Sequence, residues 1–170
     1  LLEITLVNFA WTFQIPPTVI YLQVIRAIGL SMLALSALVW LPRPLLLGLS
    51  VLIIAGHNLL DGLHFALESA LHVPWAVLHD RGWIEFSDGL RLRTSYPVLP
   101  WIGVIGLGYA IGPWFAQASD AAWRQRALLI GGIAGLVGFV GLRLLNGYGD
   151  RPWVQGDSAL QTLMSFFNIT

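Results

Sequence analysis

Four apolar runs dominate this chain of 170 residues and constrain its fold more than any other feature. The runs cover residues 19–41, 45–60, 98–116 and 127–145. A helix that crosses the roughly 30 Å hydrocarbon core of a bilayer needs about 20 mostly apolar residues. The sequence therefore predicts an all-α fold, a polytopic transmembrane helix bundle with four full spans.

Both ends of the chain lie in further apolar stretches. Residues 1–13 look like the tail of a preceding span, and residues 158–170 look like the start of a following one. The chain opens with Leu1 and shows neither an initiator Met nor a signal peptide with a charged beginning. We therefore expect residues 1–170 to form a single transmembrane domain that is an internal part of a longer protein.

The composition excludes several other classes of protein. Only 11% of the residues are charged, whereas an ordinary soluble domain carries about 25% charge. The chain has no Cys, which excludes a disulfide scaffold, and its nine basic residues are balanced by nine acids. Without a dominant basic patch, a nucleic-acid partner is not expected, and the bilayer is the expected surrounding.

The distribution of arginine predicts the orientation in the membrane. The short loops 42–44 and 117–126 hold three arginines and one acid, whereas segments 61–97 and 146–157 dilute four arginines among seven acids. The arginines of the short loops are Arg43, Arg124 and Arg126. Because basic residues concentrate in cytoplasmic loops, we expect the short loops in the cytoplasm. Segment 61–97 is then an extracytoplasmic loop, and its length predicts short helices of its own.

The last apolar run is rich in glycine. Its glycines recur at spacings of three and four residues, and they are Gly131, Gly132, Gly135, Gly138 and Gly141. Small residues at these spacings let helix backbones approach closely in lipid. Packing within the chain is the favoured interpretation, and a homodimer through this span is the alternative.

Polar side chains cluster in the sequence where the second run ends. Their spacing of four, three, four and four residues predicts one stripe along a helix, formed by His57, Asp61, His64, Glu68 and His72. A histidine with a carboxylate one turn away suits a catalytic base and its orienting partner. Structural pairing, a polar site that lines a cavity and a metal site all stay open as interpretations, with the metal the least favoured because no familiar ligand motif is present.

Arginines near the ends of the runs invite two interpretations. Arg26 and Arg143 could extend to the membrane interface, or one of them could pair with Asp61 or Asp150 or hold an anionic group. The loop arginines could merely set the topology, or they could pair with phosphates. No nucleotide-binding loop and no serine nucleophile motif occurs in a suitable context.

Specific sequence motifs point to a known family. The segment YPVLPWIGV at 96–104, followed by GYAIG at 108–112, resembles the heparan-alpha-glucosaminide N-acetyltransferase catalytic-domain family, in particular its bacterial branch of uncharacterised membrane proteins. Further segments are similar to the same family in the same order, namely 1–3, 23–32 with 56–61, and 148–153 with 165–168. The resemblance covers nearly the whole chain.

The resemblance implies a membrane acyltransferase, located in a bacterial inner membrane. Such a protein moves an acetyl or other acyl group from acyl-CoA, with acetyl-CoA as a co-substrate and no tightly bound cofactor, to an envelope sugar or similar acceptor. The histidine that is central in the characterised branch lies in an early membrane helix. That helix would precede Leu1, so none of the four histidines here can be matched to it.

This function suggests roles for several side chains. His57 and Asp61 are the expected catalytic pair at the outer face, where an acceptor would arrive. His64 and Arg143 are expected to contact the acceptor, and no metal is expected. Arginines of the inner face would bind the CoA phosphates, namely Arg43, Arg124 and Arg126. A membrane transporter and a non-catalytic membrane component remain the alternative functions.

Overall fold

A computed structural model describes residues 2–85, 89–116, 120–149 and 152–167. The chain forms two compact units, Leu1–Gly112 and Pro113–Thr170. Sequence features at Leu1, Asp150, Arg151 and Asn168, together with residues 117–119, lie outside the described residues.

Helices account for most of the first unit. A π-helical turn at Glu3–Val7 runs into α1 (Asn8–Thr12), which ends where Phe13 adopts a left-handed conformation with φ of 52°. Helices α2 (Val24–Leu38) and α3 (Arg43–Gly56) follow, and a 3-10 turn at His57–Leu60 extends α3. Pro42 separates α2 from α3, since it cannot continue a helix. The remaining helices are α4 (His72–Leu78) and α5 (Val98–Ile111).

Among the described residues, three helices are long and apolar enough to cross a membrane. They are Arg43–Leu60, Val98–Phe115 and, in the second unit, α6 (Ala121–Leu145). Four full spans are not confirmed, because the first predicted span is reduced to the shorter apolar helix Val24–Leu38. Its predicted beginning instead forms strand β1 (Val19–Leu22). The β-branched and aromatic residues of this segment favour an extended backbone when a partner strand is at hand.

The partner strands come from the segment between α3 and α5. Strands β2 (Gly82–Glu85) and β3 (Arg91–Thr94) pair antiparallel, and β1 pairs parallel with β3, which gives the order β1-β3-β2. One face of this sheet is buried, with Ile84 at 4% and Thr94 at 1% exposure. The sequence pattern does not predict these strands.

Glycines of α5 let it approach α3 closely. A Cβ atom on Gly106 would lie 2.5 Å from the Ser50 hydroxyl, and one on Gly103 would lie 3.0 Å from the Ser50 carbonyl oxygen. Ser50 and Leu46 of α3 are buried at this contact. Small residues are what allow such backbone contact between helices in lipid.

Replacing Gly103 by Val is expected to lower the free energy of unfolding by about 1–3 kcal/mol, because α3 must move away from α5. Thermal unfolding of the purified protein in detergent measures the change. Gly108→Val is the matched control on the same helix, since a Cβ at Gly108 would meet no atom within 4 Å. Equal loss in both variants would contradict close packing at Gly103.

The second unit is built around α6. The helix begins after Asp120, whose carboxylate accepts a hydrogen bond from the Ala122 amide, and ends where Asn146 adopts a left-handed conformation. The chain then folds back, and helix α7 (Ala159–Phe167) follows. Within this unit an added Cβ on any of the five glycines of the last apolar run would meet no described atom within 4 Å.

A buried arginine ties the two helices of this unit together. The Arg143 side chain, 6% exposed, donates hydrogen bonds to the backbone carbonyls of Ser165 and Phe166 at 3.1 and 2.9 Å. The indole N–H of Trp153 donates to the Arg143 carbonyl at 2.7 Å. Asn146 also exchanges two hydrogen bonds with the Trp153 backbone.

Candidate functional site

The polar residues beyond α3 do not lie on one helix. The α-helix ends at Gly56, the 3-10 turn at His57–Leu60 follows, and the next helix begins only at His72. The predicted helical stripe of five side chains is therefore wrong. Glycine disfavours a helix by about 1 kcal/mol, and Gly56 and Gly62 flank the point where the chain leaves the helical path.

A histidine that the sequence analysis did not single out lies at the centre of this region. His79 follows α4, and its side chain is only 5% exposed. Its Nε2 atom lies 2.9 Å from the carbonyl oxygen of His57 and 3.4 Å from Oδ1 of Asp61. Its ring stacks on that of Trp75, with the ring centroids 5.0 Å apart. The fold therefore joins His57 and Asp61 through a third residue.

Two further side chains extend this arrangement towards solvent. The Nδ1 atom of His79 lies 3.1 Å from Oδ1 of Asp80, and the other oxygen of Asp80 lies 3.2 Å from Nδ1 of His64. The His64 side chain is 70% exposed. We call the four residues His64, Asp80, His79 and Asp61 the His79 cluster. The His79 cluster extends from the exposed His64 to Asp61, which follows the 3-10 turn at the end of α3.

Both ring nitrogens of His79 face oxygen atoms. A neutral imidazole donates from only one nitrogen, whereas the protonated ring donates from both. His79 is therefore surrounded by hydrogen-bond acceptors, namely two carboxylates and a carbonyl, which its ring holds in one place.

One ring nitrogen of His57 is available to other hydrogen-bond partners. Its Nδ1 atom lies 2.9 Å from the carbonyl oxygen of Ile54, and only a ring that carries its proton on Nδ1 donates there. In a neutral ring Nε2 is then a lone-pair acceptor, and it makes no hydrogen bond to the described residues. The carboxylate of Asp61 is 51% exposed and accepts a hydrogen bond from the Asn58 amide at 3.2 Å. Both side chains can therefore receive a polar group from outside.

The remaining predicted site residues lie elsewhere. Arg43 is the first residue of α3, whereas Arg124 and Arg126 lie in the first two turns of α6. Arg124 donates to the Trp114 carbonyl at 3.2 Å, and its guanidinium lies 5.8 Å from the centroid of the Phe115 ring. Arg126 is exposed and makes no hydrogen bond or ion pair within the described part of the chain.

The two arginines near the ends of the apolar runs bind backbone carbonyls. Arg26 donates to the carbonyl of Tyr96 at 2.8 Å, at the start of the YPVLPW motif, and so does not pair with Asp61. Arg143 holds the end of α7, as described above. The proposed alternative partner Asp150 lies outside the described residues.

One feature of the sequence could have pointed to His79 and Asp80. His79 and Asp80 are adjacent and fall between a short aromatic helix and a strand, a place where polar side chains often serve a site. Among the described residues, no three His, Asp or Glu side chains converge closely enough to hold a metal ion.

Comparison with known proteins gives one clear finding. A family model described as "Heparan-alpha-glucosaminide N-acetyltransferase, catalytic" matches residues 2–148. No curated protein and no solved structure matches the chain significantly. The matched range includes the His79 cluster and all three helices that are long and apolar enough to cross a membrane.

Proposed function

Because the chain belongs to the heparan-alpha-glucosaminide N-acetyltransferase catalytic-domain family, we propose that it transfers an acetyl or similar acyl group from acyl-CoA to an envelope sugar or similar acceptor. Family membership and three apolar helices identify an integral membrane protein of acetyltransferase-like type. The donor, the acceptor and the roles of individual residues are our proposal.

One observation carries the proposal. The buried His79 ring contacts both the His57 carbonyl and the Asp61 carboxylate, so it fixes two polar residues at the end of a membrane helix. Acyl transfer requires a base that takes a proton from the acceptor and groups that hold the acceptor in place. His57 and Asp61 are suited to these two tasks.

The reaction proceeds by attack on a thioester. An acceptor amine or hydroxyl attacks the carbonyl carbon of acetyl-CoA, while Nε2 of His57 takes the proton of the attacking group. The new C–N or C–O bond forms, the C–S bond breaks, and CoA leaves as a thiolate that receives a proton from the His57 imidazolium. Asp61 accepts a hydrogen bond from the acceptor, and His64 lies at the entrance from water.

We assign the two ends of the reaction to opposite faces of the membrane. Segment 61–97 faces out of the cytoplasm in a bacterial inner membrane, and the acceptor approaches there. Arg43, Arg124 and Arg126 face the cytoplasm and bind the CoA phosphates, because guanidinium groups bind phosphate oxygens strongly. In this scheme Arg143 acts on the structure of the second unit, since its side chain is occupied by backbone carbonyls.

Coenzyme A is expected to stabilise the purified protein against heat, because a ligand stabilises the state that binds it. Arg126→Gln should weaken the apparent CoA affinity by about tenfold, since it removes one charge-assisted hydrogen bond to phosphate. Thermal unfolding in detergent with increasing CoA measures both effects. Arg81→Gln, at an exposed arginine of the 61–97 segment, is the control.

The purified protein, reconstituted in liposomes, tests the activity directly. Labelled acetyl-CoA and glucosamine are added to the protein in liposomes, and labelled N-acetylated product is counted. If a solute crosses the liposome membrane independently of CoA and no acetylated product forms, the result would favour a transporter and contradict the proposal.

A further inference from the structure

The outward face of the three-stranded sheet carries aromatic and basic side chains together. Tyr21 of β1 and Trp83 of β2 both lie in register with Arg93 of β3, and Arg91 lies two residues earlier on the same face. The opposite face holds the buried residues Ile84 and Thr94. We call Tyr21, Trp83, Arg91 and Arg93 the cation–aromatic face.

The arginines of this face lie against an exposed ring. The guanidinium carbons of Arg91 and Arg93 lie 5.0 and 5.4 Å from the Trp83 ring centroid, and Tyr21 meets that ring edge-on at 6.4 Å. Trp83 remains 41% exposed. Contacts of this kind hold a guanidinium in place through its flat face and leave the N–H groups at its edge unused.

Neither arginine forms an ion pair within the described chain. Glu85 stands opposite Arg91 in the strand register, but the two side chains form no ion pair. Among the described residues Arg91 and Arg93 also make no side-chain hydrogen bond. Two adjacent positive charges with free donors therefore face outward, which is the arrangement that a phosphate group requires.

The sheet lies close to the ends of two apolar helices. A single residue, Gln23, separates strand β1 from α2, and β3 ends at Thr94, shortly before α5 begins at Val98. Three extended residues reach only about 10 Å, and the polar layer on each side of a bilayer is about 5–8 Å thick. A face this close to the start of the candidate span Val98–Phe115 is within reach of the lipid headgroups, where Trp is enriched in membrane proteins.

We propose that the cation–aromatic face is a binding site for the headgroup phosphates of anionic phospholipids in the leaflet beside the sheet. Arg91 and Arg93 pair with the phosphates, and Trp83 lies among the glycerol and upper acyl groups. The inference does not depend on the acyl transfer proposed above, since none of these side chains belongs to the His79 cluster.

Lipid binding by the full chain tests the inference. The protein is purified in micelles and titrated with phosphatidylglycerol or phosphatidylcholine, and native mass spectrometry counts the lipids that stay bound. Each basic residue near an anionic lipid surface contributes about a fivefold factor in affinity. The double variant R91Q/R93Q should therefore bind phosphatidylglycerol about 25-fold more weakly, with little change for phosphatidylcholine.

Two further variants and two soluble probes make the result decisive. R91K/R93K keeps both charges and should retain most of the affinity, whereas Arg81→Gln removes an exposed charge that makes no cation–π contact with Trp83 and should weaken binding far less. Unchanged binding in R91Q/R93Q, or equal loss in Arg81→Gln, would overturn the site. Binding of inorganic phosphate or a uronic-acid oligosaccharide as tightly as phosphatidylglycerol would overturn the lipid as its ligand.

Discussion

His79→Gln is expected to lower the rate of acetyl transfer about 100-fold. His79 contacts the substrate in no step, because its side chain is 5% exposed, but its Nε2 atom holds both the His57 carbonyl and the Asp61 carboxylate. Glutamine has only one amide nitrogen to donate and cannot bridge these two oxygens and Asp80 together. Displacing catalytic groups by about 1 Å can cost a factor of 100 in rate.

Rates with labelled acetyl-CoA and glucosamine, measured across a range of acceptor concentrations and pH, provide the test. His57→Ala, which removes the proposed base itself, should lose at least as much activity. His72→Gln is the matched control, because His72 binds the Phe65 carbonyl and lies outside the His79 cluster. Full activity of His79→Gln, with an unchanged pH profile and circular dichroism spectrum, would remove His79 from the mechanism.

Arg143→Gln is expected to reduce the free energy of unfolding of the second unit by about 3 kcal/mol. Hydrogen bonds to a charged group are each worth about 1.5–3 kcal/mol, and the variant disrupts two such bonds to α7. The carbonyls of Ser165 and Phe166 would then lose charged donors in a partly buried place. Proteolysis between α6 and α7 should speed up accordingly.

Two further variants serve as comparisons for the stability of Arg143→Gln. Arg143→Lys keeps the charge but not the planar fork of donors, so it should fall between the wild type and Arg143→Gln. Gln125→Met changes an exposed polar side chain of the same helix and should leave stability within about 0.5 kcal/mol. Equal stability of all four proteins would show that the Arg143 contacts contribute nothing to the fold.

Hydropathy and length located three of the four predicted spans. The failure at the first run has a clear cause, because an apolar segment such as Val19–Leu22 can join a buried strand or a helix with equal ease. Its strand partner Arg91–Thr94 lies far along the sequence, and a charged segment of this kind shows little of the usual strand pattern. Whether Val19–Leu22 forms a strand or part of a helix therefore depends on its pairing with Arg91–Thr94 in the folded protein.

The candidate site was likewise predicted only in part from the sequence. Spacing drew attention to His57 and Asp61, which the fold does bring to one place. His79 and Asp80 were missed because they approach Asp61 only after the chain reverses direction beyond α3. The helical spacing used for the prediction assumes one continuous helix and does not include such a reversal. The family resemblance is confirmed over residues 2–148, yet its motifs alone did not indicate which histidine is central.

The parallel pairing of β1 with β3 has a consequence for the order in which the protein is made. About seventy residues separate Val19 from its partner Arg91, and α2 and α3 both lie between them. While the ribosome synthesises those helices, the free edge of β1 has no strand to join. Helices α2 and α3 are therefore both synthesised before the sheet can close, and the edge of β1 stays unpaired and open to aggregation until β3 follows.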